Sequence, residues 1–261
     1  MPDILIQGIQ FDEKSSFQTG QRLAPPLIRE ALYSDSSNLF TEDLIDINAL
    51  NIEDKGDFEI ASYFDIETIT KQHLYSGCKL LTLGGDHSIT FPIIKAHRQN
   101  YPVLDILHID AHPDLYPEFE GDPHSHACPF ARIMENGLAN RLVQVGIRTL
   151  NARQAAQAEK YNVEMHQMKN LNLDAIPKFK NPVYISLDMD AFDPAFSPGV
   201  SHCEPGGLSS RQVVNLIQNI DAEIVGADIV EYNPENDLRE MTAFLAAKMM
   251  KEILGKMRVR N

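Results

Sequence analysis

Short segments rich in Val, Ile and Leu recur along the whole chain, separated by stretches with helical patterning, and this alternation restricts the fold more than any other feature. ILIQGIQF (4–11), LIDIN (44–48), KLLTLGG (79–85), VLDILHID (103–110), RLVQVGI (141–147), VEMHQM (163–168), PVYISLDMD (182–190) and EIVGADIVEY (223–232) read as strands. Helical patterns fall at 25–34, within 57–76, near 89–98, 129–136, 151–161 and 209–219, and across 238–255. Apolar strands alternating with amphipathic helices specify a parallel sheet covered on both faces. The expectation is an α/β protein, a three-layer α/β/α fold with a mostly parallel sheet of about eight strands. No linker rich in Pro, Gly or Ser divides the 261 residues and no internal repeat is found, so residues 1–261 read as a single domain.

That architecture predicts where chemistry sits, because ligands of open parallel sheets bind beyond the carboxyl ends of the strands. Polar residues gather at those ends. GGDHS (84–88), DAHPD (110–114), SLDMDAFDP (186–194) and DIVEYNP (228–234) each close a strand, and together they deliver His87, Asp110, His112, Asp114, Asp188, Asp190 and Glu231 to one rim. Alternate residues of an extended chain share a side, so Asp110, His112 and Asp114 can converge, as can Asp188 and Asp190. Four crowded aspartates cannot all stay ionised without cations. Two divalent ions would neutralise them, with histidines completing the shells. Carboxylate oxygen with some imidazole suits Mn2+ better than a thiolate-preferring metal, and paired ions activate water for hydrolysis.

Composition narrows the class further. A formal net charge of −14 argues against binding a nucleic-acid backbone and is compatible with a cationic substrate or bound metal. No apolar run approaches the roughly 18–20 residues of a membrane span. The opening MPDILIQGIQF lacks the basic start and cleavage site of a signal peptide. Three cysteines, Cys78, Cys128 and Cys203, imply no disulfide framework. The expected setting is cytoplasmic and reducing.

GGDHS, DAHPD and SLDMDAFDPAFSPGVSHCEPGGL resemble the three signature segments of the ureohydrolases, the arginase and agmatinase family. Residues 8–32 and 228–254 resemble that family's N- and C-terminal segments. The resemblance implies two Mn2+ per chain. His87, Asp110, Asp114 and Asp188 would bind one ion, and Asp110, His112, Asp188 and Asp190 the other, with Asp110 and Asp188 bridging. Glu231 matches the acid that receives the substrate guanidinium. His126, in SHACPF, matches a proton-shuttling histidine, and His124 is the alternative for that role. Asp114, a ligand facing the attacked carbon, is the expected proton donor to the leaving amine. A homo-oligomer, trimer or hexamer, is implied by the family alone.

Two loops depart from the agmatinase pattern: Ala127-Cys128 replaces Gly-Thr, and SHCEPGG (201–207) replaces GTPEPGG. The loop 117–126 carries Glu118, Glu120 and Asp122 and no Lys or Arg. An acidic rim should attract a cationic tail and repel a carboxylate. The reading is therefore a hydrolase of a small cationic guanidino compound, agmatine to putrescine and urea, with arginine or a guanidino acid as alternative substrate. A zinc deacetylase-like hydrolase and a non-catalytic ligand-binding relative are the rivals from other classes. His108 reads as a buried hydrogen-bonding residue and Asp193 as a turn residue.

Overall fold

The computed structural model describes residues 1–74, 77–176 and 178–258. Eight strands form one sheet: β1 (Ile4–Gln10), β2 (Ile52–Glu59), β3 (Lys79–Leu83), β4 (Asp105–Ile109), β5 (Arg141–Ile147), β6 (Glu164–Gln167), β7 (Val183–Asp188) and β8 (Ile224–Val230). Their order is β2-β1-β3-β8-β7-β4-β5-β6, and every neighbouring pair is parallel. The helices are α1 (Ala24–Leu32), α2 (Asp65–Leu74), α3 (Thr90–His97), α4 (Pro129–Glu135), α5 (Ala152–Lys160), α6 (Ser210–Gln218) and α7 (Met241–Met257). The sheet lies between two helical layers, as the alternation requires.

Strand periodicity divides the core. Leu107 and Ile109 of β4, with Val183, Ile185 and Leu187 of β7, pack in the cluster shared with α1, α6 and α7. Ile106 and Tyr184 point the other way, towards residues of α2, α3 and α4. All of these side chains are fully buried, each contributing about 1.5–3 kcal/mol.

Two expected elements move. LIDIN (44–48) is not a strand, because Leu44 takes a φ of 60 and Asp46 caps a 3-10 turn over Ile47–Ala49. β2 is built instead from IEDKGDFE, an edge strand with mostly exposed polar residues that pairs with β1. Consequently the helix expected within 57–76 begins only at Asp65; positions 75 and 76 lie outside the described residues.

A row of polar side chains crosses the middle of the sheet. Gln7, Thr82, Asp228, Ser186, His108 and Gln144 come from six adjacent strands and occupy one register. All six are fully buried. Burial without partners would cost several kcal/mol per polar group, and the row pairs internally: Gln7 to Thr82, Ser186 to Asp228, and Gln144 to His108.

His97, closing α3, is the opposite case. Its ring is fully buried against Tyr184 at 5.0 Å, and neither ring nitrogen has a hydrogen-bond partner among the described residues. Gly226 makes room for it, since a Cβ there would lie 2.4 Å from the ring. Burial pushes the His97 pKa down from 6.5 to about 3. The unfolded chain therefore takes up a proton below pH 6.5 that the folded chain refuses, and stability falls as pH drops from 6.5 towards 3. In EDTA, His97→Leu should flatten the pH dependence of unfolding free energy over this range by up to about 1.4 kcal/mol per pH unit. Parallel curves for variant and wild type would show that His97 titrates normally.

Candidate metal centre

Apart from His126, which lies in the loop before α4, each site residue stands at or beyond the carboxyl end of a central strand. After β3 the chain passes through Gly84 and Gly85, and Asp86 caps the turn His87–Ile89 that leads into α3. Gly85 is required here: a Cβ would fall 1.7 Å from Phe11 O, while its own carbonyl accepts from Glu231 N at 2.9 Å. Asp110 follows β4, Asp188 ends β7, and Asp190 lies in the turn Met189–Ala191, where its N–H donates to Asp188 Oδ1 at 2.7 Å. Asp114 and Glu231 both adopt left-handed backbone, with φ of 49 and 62. Such conformations cost a side-chain-bearing residue about 1–2 kcal/mol, and here they turn a carboxylate into the rim.

The carboxylates converge on two imidazole nitrogens. His87 Nδ1 lies 3.2 Å from Asp110 Oδ2, 3.2 Å from Asp114 Oδ2 and 3.1 Å from Asp188 Oδ2. His112 Nδ1 lies 2.9 Å from Asp190 Oδ2 and 3.5 Å from Asp110 Oδ1. His87, His108, Asp110 and Asp114 form one group with donor atoms close enough for a single ion, and Asp110, His112 and Asp190 form a second. Asp110 belongs to both, and Asp188 joins the first through His87. His108 stays beneath the site, its Nε2 on Asp110 Oδ2 at 2.6 Å and its Nδ1 on Gln144, as a buried hydrogen-bonding residue.

Without cations this arrangement is electrostatically expensive. Burial, and then the charges of Asp190 and Asp110, hold the Asp188 pKa well above the usual carboxylate range. Burial likewise raises Asp190, although His112 opposes the shift. Burial works against charge on His87 too, but its hydrogen bonds to Asp110, Asp114 and Asp188 overcome that and lift its pKa well above 6.5. Protons thus stand in for positive charge that the site requires. Four carboxylates and two imidazoles, with no thiolate among them, fit a pair of hard divalent cations.

Beside the cluster, His126 Nδ1 meets Glu231 Oε1 at 2.9 Å. Glu231 Oε1 also accepts from His87 N at 2.8 Å and its Oε2 from Gln21 Nε2 at 2.9 Å. Burial alone would neutralise both partners, yet Glu231 pulls the His126 pKa up to about 9, and His126 holds Glu231 down at about 2. Ser16 N–H, 3.2 Å from His126 Nε2, favours a bare nitrogen there. The buried charge at 2.9 Å outweighs that longer contact, and Ser16 Oγ at 2.8 Å can accept an Nε2 proton. His126 is held by its N–H on Lys14 O despite the Ala127-Cys128 substitution. His124 lies elsewhere, its ring stacked on Phe91 at 5.7 Å.

A cavity of about 240 Å3 opens onto these groups, lined among others by His112, Asp114, Asp188, Asp190, His126 and Glu231. His202, from SHCEPGG, lines it too. Glu118, Glu120 and Asp122 do not; Asp122 pairs instead with Lys14 at 2.7 Å. Asp193 serves a turn, accepting from Ala195 N and Gly206 N. Sequence reasoning missed Gln21, Ser16, Ser186 and Asp228. The last two were legible in principle, since Ser186 lies two residues before Asp188 on the same side of β7.

A parallel α/β/α sheet that gathers such a cluster at its strand ends defines the class, an α/β protein with a candidate metal site. Comparison with known proteins gives the family. The profile of the Arginase family matches residues 2–255, and the chain belongs to that family. It is 44% identical to a mitochondrial arginase of Medicago truncatula, over 96% of this chain and 80% of that protein. The solved arginase from Medicago truncatula superposes with a TM-score of 0.90 at 41% identity, covering 97% of this chain and 87% of the other. The agmatine ureohydrolase of Thermoplasma volcanium superposes with a TM-score of 0.87 at 29% identity, covering 98% and 90%. No described helix is long and apolar enough to cross a membrane.

The His126–Glu231 pair sets a pH window for the metal-free protein. The raised His126 pKa contributes stability below pH 6.5 that disappears as pH rises through about 9. The depressed Glu231 pKa contributes stability above pH 4.5 that disappears as pH falls through about 2. In EDTA, the loss of Tm caused by Glu231→Gln should therefore be largest near pH 5–6 and shrink towards pH 9. A difference independent of pH would show that no ion pair forms.

Proposed function

We propose that this protein hydrolyses a small aliphatic guanidino compound to urea and an amine, with two Mn2+ held by His87, Asp110, His112, Asp114, Asp188 and Asp190. The observation that carries the reading is the meeting of three carboxylate oxygens on His87 Nδ1 within 3.2 Å, beside a second group on His112. When bound, the two cations neutralise the carboxylates and lower the pKa of water for attack on the guanidinium carbon.

The chain's own residues supply binding and proton transfer. Glu231 offers a carboxylate to the planar cation from a position fixed by Gln21, His87 N and His126. Until substrate arrives, the His126 imidazolium is its counter-charge. A guanidinium takes over that role, which lowers the affinity of His126 for its proton and frees it at Nδ1. The leaving amine must gain a proton; Asp114, at the cavity wall, would take the proton given up by the attacking water and pass it to that nitrogen, and His126 exchanges protons with solvent.

Arginine is the substrate we favour. The acidic side chains of the 117–126 loop, which suggested repulsion of a carboxylate, do not line the cavity, and a relative 44% identical over 96% of this chain is named an arginase, against 29% identity to the solved agmatine ureohydrolase. Agmatine is the second reading, supported by a cavity wall that carries no Lys or Arg among the described residues. A reducing, cytoplasmic setting rests on sparse cysteines, and a trimer or hexamer on family likeness alone.

Asp110→Asn and Asp188→Asn should each abolish manganese binding and urea release together. Full manganese occupancy by elemental analysis in either variant would overturn the bridging assignment. On manganese-loaded protein, kcat/KM for arginine should exceed that for agmatine, guanidinobutyrate and guanidinopropionate. A preference for agmatine would restore the loop argument, and urea from none of the four would remove the reaction itself.

A further inference from the structure

Beneath the metal centre, the buried polar row forms a directed chain of hydrogen bonds. His87 has two ring nitrogens with different surroundings: Nδ1 faces the three carboxylates, and Nε2 faces Ser186 Oγ at 2.9 Å. Ser186 Oγ in turn lies 2.7 Å from Asp228 Oδ1. Asp228 Oδ2 meets Thr90 Oγ1 at 2.9 Å and Tyr184 OH at 2.8 Å. Among the described residues, neither of those hydroxyls has another side-chain acceptor, so both donate to Asp228. Burial raises the Asp228 pKa, and His87 with these three hydroxyl donors opposes that shift; in its ionised form Asp228 accepts only.

Direction follows from counting protons. A serine hydroxyl has one proton, and here it goes to Asp228. Ser186 Oγ is then left with lone pairs facing His87, so the contact at 2.9 Å requires a proton on Nε2. A neutral imidazole with its proton on Nε2 presents a bare Nδ1. That nitrogen is the one aimed at the metal cluster. The neighbouring column obeys the same rule: Gln144 Nε2 donates to His108 Nδ1, which leaves His108 Nε2–H to donate to Asp110.

We infer that Asp228, acting through Ser186, fixes the tautomer of His87 and is thereby a positioning residue for the first metal ion. The inference rests on the two-metal reading above. Asp228 touches neither ion nor substrate; it sets which ring nitrogen can ligate. Ser186→Ala removes the acceptor for Nε2–H. Asp228→Asn allows an amide N–H to donate to Ser186, which then turns its own proton towards Nε2 and stabilises the tautomer that carries a proton on Nδ1.

Manganese titration by calorimetry, with EPR to distinguish paired from isolated ions, tests this on the wild type, Ser186→Ala, Ser186→Thr, Asp228→Asn and the Ser186→Ala/Asp228→Asn double variant. Wild type should bind two ions. Ser186→Ala and Asp228→Asn should each weaken one ion about 10- to 100-fold and spare the other, while Ser186→Thr, which keeps the hydroxyl, should bind both. Because both residues act along one chain, the double variant should be no weaker than the worse single variant. Two ions bound at wild-type affinity by Ser186→Ala, or losses that multiply in the double variant, would overturn the relay and leave the two-metal reading intact. A wild type that binds no manganese would overturn both. Thermal unfolding in EDTA identifies any variant that fails to fold, and if Asp228→Asn does so, the comparison of Ser186→Ala with Ser186→Thr decides.

Discussion

The structure depends on keeping polar groups satisfied in the middle of a sheet that is buried on both faces. Six adjacent strands each contribute one polar side chain to the same register, and none of these residues reaches solvent. Such a network is favourable when its members are paired, because an orphan costs its desolvation penalty; every member of this row is hydrogen-bonded through its side chain, and Gln144 Oε1 is its one buried atom left without a partner among the described residues. Register is therefore constrained twice, once by the apolar packing of both clusters and once by this row. A strand slipping by one residue would bury Leu107 where His108 belongs and break both sets of contacts.

The metal centre lies directly above that row and inherits its rigidity. Asp110 is two residues beyond His108, and Asp188 two beyond Ser186, so each carboxylate stands on a residue that is already hydrogen-bonded in the sheet. The other two anchors are held by loops with little freedom. Gly85 lets the chain pass against Phe11, and its carbonyl fixes Glu231, which turns its carboxylate inward through left-handed backbone. Backbone strain at Asp114 and Glu231 is borne by the surrounding structure, as is common where a site must place charge in a fixed direction. A crowded set of acids would relax apart if its supports gave way; here each support is itself hydrogen-bonded or tightly packed.

The parallel sheet and the seven helices of the described residues were legible because their patterns are local: apolar runs for buried strands, helical spacing for their covers. β2 was not, because IEDKGDFE has no apolar run and becomes a strand only by pairing with β1. LIDIN had the run but also Leu44 in left-handed backbone, which only the fold reveals. The strand-end rule located His87, Asp110, His112, Asp114, Asp188, Asp190 and Glu231, and the structure brings all of them together with His126. Gln21 and Ser16 were invisible for a different reason. Each meets its partner across more than one hundred residues of chain, and nothing in its own neighbourhood marks it. Asp228 lay inside a quoted motif, but an aspartate within an apolar strand has no role until its three hydroxyl donors are known.

The substrate question turns on the same difference between charge in a sequence and charge at a surface. Loop 117–126 is acidic by composition, yet Glu118 and Glu120 are exposed and Asp122 is tied to Lys14. Exposed carboxylates at a rim act through water and salt, and their repulsion decays within about 10 Å at ordinary ionic strength. Groups on the cavity wall act through low dielectric and direct contact, where one hydrogen bond to a carboxylate outweighs several distant charges. Apart from His126, whose charge is paired with Glu231, the wall of this cavity is neutral and partly aromatic around its acidic floor, with Tyr116, Phe119 and His202 beside the candidate metal site. Discrimination between a carboxylated and a plain tail would then come from the neutral donors on that wall, such as Ser16, Tyr116, Thr149 and Gln154, rather than from the loop's net charge.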